Sequence, residues 1–250
     1  MSVPPIGLDL YTVAVAVAAI VAGIVAAVSG FGIGSLLTPV LALHVDTRLA
    51  IAAVSIPHLI GTAQRFLKMR ANIDRRLLLQ FGITSAAGGL AGALLHNRVK
   101  SSGLDLVFGF LLLFTATAEL TGWMRKVRWG KSTGPVAGLI SGFLGGLVGN
   151  QGSIRTAGLL AYDVSPTAFV ATATTVALIV DGARMPVYIY SQGSEMLSLW
   201  PILAIATAGV VLGTAIGSRI LPLLGDKVFR KSVAILLAVL GAWMLVAGLS

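Results

Sequence analysis

Few residues in this sequence could do chemistry, and most of those that could are arginines set among apolar neighbours. His58, Thr62 and Arg65 fall at i, i+4 and i+7, on one face of a helix, and Asp181 and Arg184 fall at i, i+3 on another. An arginine stays charged in any pocket and offers a planar fork of donors suited to an oxoanion. Arg155 opens a third, shorter apolar segment with no acid beside it. The ligand class these residues favour is an anion. Each has a plainer account beside that one. Arg65 stands one turn from a basic cluster and can snorkel to an interface, and Arg184 can neutralise Asp181 in an ion pair. A lone histidine such as His58 is more often a packing residue than a proton carrier, and Pro57 kinks its helix.

Two glycine-rich breaks supply a second kind of anion site. In Ser29-Gly30-Phe31-Gly32-Ile33-Gly34 and Gly149-Asn150-Gln151-Gly152-Ser153, short helices starting at Gly34 and Ser153 would present unpaired backbone N–H groups and a positive dipole end. Ser35 and Thr38 on one side, with Asn150, Gln151, Gly152, Ser153 and Thr156 on the other, could add hydrogen bonds to ligand oxygens. The competing account has glycines allowing close helix crossings and hydroxyls bonding back to their own helices.

The elements that must position these residues are membrane helices. The 250 residues are 56% hydrophobic and 11% charged, against about a quarter charged in a water-soluble domain. Mean hydropathy is +0.94. Stretches without Asp, Glu, Lys or Arg run over Leu10 to Val45, Leu77 to Leu95, Met196 to Ser218 and Ser232 to Ser250. Each can supply the roughly 20 helical residues that cross the hydrocarbon, where only helices satisfy the backbone. Apolar runs and polar breaks predict helices near 10–28, 33–43, 48–66, 76–95, 103–123, 133–149, 153–162, 166–189, 197–218 and 229–248. The second and seventh are too short to span. Gly209, Gly213 and Gly217 form a small-residue stripe for helix packing.

The two glycine-rich stretches align when shifted by 119 positions, which pairs Gly30 with Gly149, Ala52 with Ala171 and Arg65 with Arg184. The expected architecture is therefore an all-α integral membrane protein of two inverted structural repeats, residues 1–124 and 133–250, joined by a basic cytoplasmic linker at 125–132. Clusters around Lys68, Arg125 and Arg219 belong in the cytoplasm, and the loops near Arg98 and Glu195 belong outside. If each glycine-rich pair is a hairpin, every half makes three full crossings. If the first helix of each pair crosses fully, the chain has eight spans.

Composition also excludes. The net charge of +9 comes from short clusters between apolar segments, which topology explains better than nucleic acid. With no cysteine, disulfides and thiolate metal sites are ruled out, and three histidines make a poor metal pathway. The acids Asp181 and Glu119 are too few for a cation site, and Glu119 reads as interfacial. No HExxH, no GxSxG and no ATP-binding loop ending in Lys-Ser or Lys-Thr is present. A Ser35–His58 hydrolase dyad is the sole enzyme reading, and nothing specifies their contact. The first apolar stretch is read as retained, and no cofactor is expected.

At Gly30-Phe31-Gly32-Ile33-Gly34-Ser35-Leu36-Leu37-Thr38-Pro39 and its second copy, Gly149 to Thr156, the chain resembles the TauE/SafE sulfite exporter family, also called TSUP. Ala171-Thr172 and Asp181-Gly182-Ala183-Arg184-Met185-Pro186-Val187-Tyr188 extend the likeness over nearly the whole chain. Gly158 stands where the second copy would repeat Pro39. The resemblance implies secondary transport of sulfite, sulfonates or related organosulfur anions across a bacterial inner membrane. Arg155 and Arg184 would then be charge partners of the anion. Arg65 and the tip residues would be further ligands, with Asp181, His58, Thr62 and Tyr188 as coupling or supporting groups. Coupling to a proton or sodium ion, the direction of transport and the oligomeric state stay open, and an anion channel is the rival.

Overall fold

A computed structural model of the chain describes residues 9–30, 32–123, 133–160, 162, 165–220 and 226–249. The basic linker at 125–132 lies outside them. The described residues form helices and connections, with no strand among them. In chain order the helices are α1 Leu10–Ser29, α2 Ile33–Leu41, α3 Thr47–Met69, α4 Arg75–His96, α5 Ser101–Thr121, α6 Gly134–Val148, α7 Gly152–Leu160, α8 Pro166–Ser198, α9 Trp200–Ile220 and α10 Asp226–Leu249.

Six of these helices, α1, α4, α5, α8, α9 and α10, are long and apolar enough to cross a bilayer. Large apolar side chains such as Val17, Leu79, Ile83, Phe110 and Val239 face outward, while Arg65, Arg155, Asp181 and Arg184 are buried. Apolar outside and charged inside is the arrangement for lipid, and the chain is an integral membrane protein. The 23-residue α3 is as long as its neighbours, but His58, Gln64 and Arg65 make it less apolar.

Local sequence explains where the helices start and stop. α1 ends at Gly30 in the left-handed conformation (φ 79°), its N–H bonded to the Ala26 carbonyl at 3.0 Å. α6 ends at Gly149 in the same way (φ 73°), bonded to the Gly145 carbonyl at 3.0 Å. That backbone conformation favours glycine because no Cβ is in the way. Asp46 caps α3 through the Leu49 amide at 3.1 Å, and Ser165 caps α8 through the Ala168 amide at 3.3 Å. All these positions correspond under the shift of 119, as do the bounds of α2 and α7.

The helix at 166–189 runs nine residues further than expected, to Ser198. Ser191-Gln192-Gly193-Ser194-Glu195 is helical and not an external loop, because Gln192 and Met196 are buried and Gly193 does not adopt the left-handed cap. At 33 residues α8 is about 50 Å long, more than the hydrocarbon thickness.

Each glycine-rich pair is a hairpin. The Tyr11 ring, at the start of α1, stacks on His44, just past α2, with centroids 3.7 Å apart. α2 therefore returns to the end where α1 began. In the second half the Tyr162 ring, past α7, lies against Gly134 at the start of α6. The two hairpins pack crosswise. α1 lies on α9 and α6 on α4, while α3 meets α8 and α5 meets α10. Gly209, Gly213 and Gly217 bring α9 onto Ala19, Ile20 and Ile24 of α1, so the predicted stripe is a packing seam.

Candidate functional site

The α3–α8 contact carries the charges. Asp181 accepts Arg184 Nε at 3.0 Å on Oδ1, with Arg184 Nη2 at 2.7 Å from the same oxygen. Its other oxygen, Oδ2, lies 2.7 Å from His58 Nδ1, so one carboxylate joins the two helices. Arg184 Nη1 donates to the Gly145 carbonyl at 2.8 Å, in the last turn of α6. All of Arg184's nitrogens are thereby spent on protein oxygens. Below it, the Tyr188 hydroxyl donates to the Gly146 carbonyl at 2.5 Å, and its ring lies under the guanidinium, 5.8 Å from Cζ to centroid.

Arg65 is built alike and finished differently. It donates through Nη1 to the Ala26 carbonyl, in the last turn of α1, and through Nη2 to Thr62 Oγ1 at 3.3 Å. Its Nε has no partner among the described residues. At 6% exposure the side chain is held in the interior and does not snorkel.

Arg155 crosses from one hairpin to the other. Its Nη2 donates to the Gly30 carbonyl at 3.1 Å, while Nε and Nη1 have no partner among the described residues. The hairpin tips meet here, and a Cβ on Gly34 would collide with the Gly149 carbonyl oxygen. Around them Thr38 Oγ1, Asn150 Nδ2 and Gln151 Oε1 are buried and likewise unpaired. An unpaired buried polar group costs about 1–3 kcal/mol, more when charged, so such a concentration sets the hairpin tips apart from an ordinary packed interior. Ser35 and Gly152 are buried at the same tips, and Thr156 is half-buried. Ser153 begins α7's second position, and its side chain lies outside what is described.

Charge balance gives this part of the interior its sign. Asp181 bonds only His58 and Arg184 directly, and neither Arg65 nor Arg155 has an acid in ion-pair contact among the described residues. Among the buried side chains joined here, three guanidiniums stand against one carboxylate, an excess of two positive charges. Excess buried charge of one sign is costly in low dielectric unless it is compensated. Two apolar grooves, one by Trp200 and Met196 and the other by Phe110 and Phe114, are lined by none of these residues.

Sequence reasoning passed over other polar groups. Asp105, near the start of α5, is buried and accepts from Thr47, and His96 sets its ring nitrogens 2.8 Å from the Leu147 carbonyl and 3.2 Å from that of Arg48. Thr174 and Thr214 keep buried unpaired hydroxyls. Asp105 stands next to a polar helix start, so a search for charges in mid-segment slides over it. His96 closes its helix and reads as a terminus. No signal in the sequence picks out the two threonines.

Searches of curated proteins and of solved structures each find no match. A family model does match: residues 15–244, a range that includes Arg65, Arg155, Asp181 and Arg184, fit the sulfite exporter TauE/SafE family, and the chain belongs to that family of membrane transporters.

Proposed function

We propose that this chain is a secondary transporter that holds a small oxoanion, sulfite, a sulfonate or another organosulfur anion, where the two hairpin tips meet. The observation that carries this reading is Arg155. Its buried guanidinium has two nitrogens without a partner among the described residues, and the hairpin tips also hold the unpaired donors Thr38 Oγ1 and Asn150 Nδ2, which an oxyanion could accept from. Gly34, Gly152 and Ser153 would add backbone donors from the starts of the short helices. Arg184, each of whose nitrogens already meets Asp181 or Gly145, positions α8 against α6 and in this reading supports the site's positive charge more than it binds the anion.

The halves, 1–124 and 133–250, are read as inverted repeats. Each hairpin returns to its starting side, so three full crossings follow in each half and the second half begins on the opposite face of the membrane. Alternating access would then come from one half rocking on the other around the tips, in a bacterial inner membrane. His58 and Asp181 join α3 to α8, and a proton on this pair is the coupling group the site offers.

Proteoliposome flux tests the proposal. Carrier behaviour is saturable sulfite uptake with accelerated exchange against internal sulfite. Linear flux without counterflow would describe a channel, and absence of flux for sulfite, sulfonates and sulfate would end the reading.

A further inference from the structure

Three pairs of positions coincide under the shift of 119: Arg65 with Arg184, Ala26 with Gly145, and Thr62 with Asp181. In both halves the arginine's Nη1 is bonded to the equivalent carbonyl. What remains is the edge formed by Nε and Nη2, two parallel donors matched to a pair of oxygens. In the second half the protein fills that edge itself, with Asp181 Oδ1 3.0 Å from Nε and 2.7 Å from Nη2. In the first half the same position is a threonine. Its hydroxyl touches Nη2 at 3.3 Å, brings no charge and leaves Nε unpaired in a side chain 6% exposed.

We infer that the substrate anion completes the first half as Asp181 completes the second: an oxyanion bridges Nε and Nη2 of Arg65, and Thr62 is the residue that keeps this edge open. A hydroxyl that accepts from Arg65 still carries a proton to donate to that oxyanion. Arg65 is buried with no acid in ion-pair contact among the described residues, so an anion on this edge supplies the missing counter-charge. The asymmetry between the halves is then functional. One arginine is neutralised permanently and holds the scaffold, and its counterpart is neutralised only while cargo is bound.

This rests on the carrier reading and adds a subsite and a gatekeeping residue to it. The test is Thr62→Asp in the full chain, which builds the missing carboxylate into the first half. Sulfite binding, followed by sulfite-dependent thermal stabilisation of the purified protein, is expected to weaken at least about 100-fold, because a fixed carboxylate occupies and repels the anion's place. Thermal stability without sulfite is expected to stay level or rise. Thr62→Asn, of the same size and neutral, should bind at least about tenfold more tightly than Thr62→Asp. Arg65→Lys keeps the charge and lacks the two-pronged edge, and should weaken binding about tenfold or more in a folded protein. A folded Thr62→Asp that binds within about threefold of wild type, or an Arg65→Lys that binds as wild type does, overturns the inference while leaving the carrier reading standing. A wild type that binds neither sulfite nor methanesulfonate overturns both.

Discussion

Arg65 and Arg184 each donate through Nη1 to a carbonyl 39 residues upstream, Ala26 in one half and Gly145 in the other. Each of those carbonyls also accepts the N–H of a left-handed glycine that ends its helix, Gly30 and Gly149 respectively. One arginine thus pins each hairpin at the turn before its tip. Tip geometry and buried charge are consequently a single structure, and disturbing either should disturb both.

Asp181 is the group most exposed to this coupling. Replacing it by Asn leaves His58 and Arg184 without their shared carboxylate, and breaking a buried pair costs about 3–5 kcal/mol. The expected result is a large fall in the melting temperature of detergent-purified protein. An Asp181→Asn, Arg184→Gln double variant should recover part of that loss, since no uncompensated charge remains. Equal or greater loss in the double variant would show that the pair does not act as a unit.

The tips should tolerate side chains unequally. Gly30→Ala meets no neighbouring atom within 4 Å, so its cost is the left-handed backbone alone, about 1–2 kcal/mol. Gly34→Ala drives a methyl into the Gly149 carbonyl, backbone against backbone, and adds about 1–3 kcal/mol of overpacking while spreading the tips. Thermal unfolding measures the first. Sulfite binding measures the second, and Gly34→Ala should lose binding while Gly30→Ala keeps it.

Tyr188 is expected to support and not to bind. Tyr188→Phe removes the bond to the Gly146 carbonyl and keeps the ring under Arg184, so stability should fall by about 1 kcal/mol and transport should persist. Loss of flux at unchanged stability would move Tyr188 into the ligand set.

Inversion of the halves predicts sidedness. The chain has no cysteine, so single cysteines can be read without background. Asn72→Cys, between α3 and α4, and Leu199→Cys, between α8 and α9, occupy corresponding turns and should label from opposite sides of intact cells. Labelling from the same side would rule out inversion.

Much of this architecture was legible in particular residues. Gly30 and Gly149 announce helix ends because few other residues take a positive φ, and Asp46 and Ser165 announce starts because their side chains cap the first turn. The end of α8 was not legible. Gly193 has the look of a break, and what keeps it helical is the burial of Gln192 and Met196 against other helices. The buried arginines were visible as charges in apolar segments. Their division of labour was not, because it depends on partners far away in sequence, such as the Gly30 carbonyl 125 residues from Arg155. Only the pairing of Thr62 with Asp181 hints at it, and that hint acquires meaning once the guanidinium edges are seen.

Sulfite flux into proteoliposomes of Arg155→Gln, compared with wild type at equal reconstitution, decides whether Arg155 holds the cargo. An arginine that completes its hydrogen bonding with the cargo predicts a fall of at least about 100-fold, with the protein folded and no less stable once a buried unpaired charge is gone. Wild-type flux from a folded Arg155→Gln would show that Arg155 does not hold the cargo.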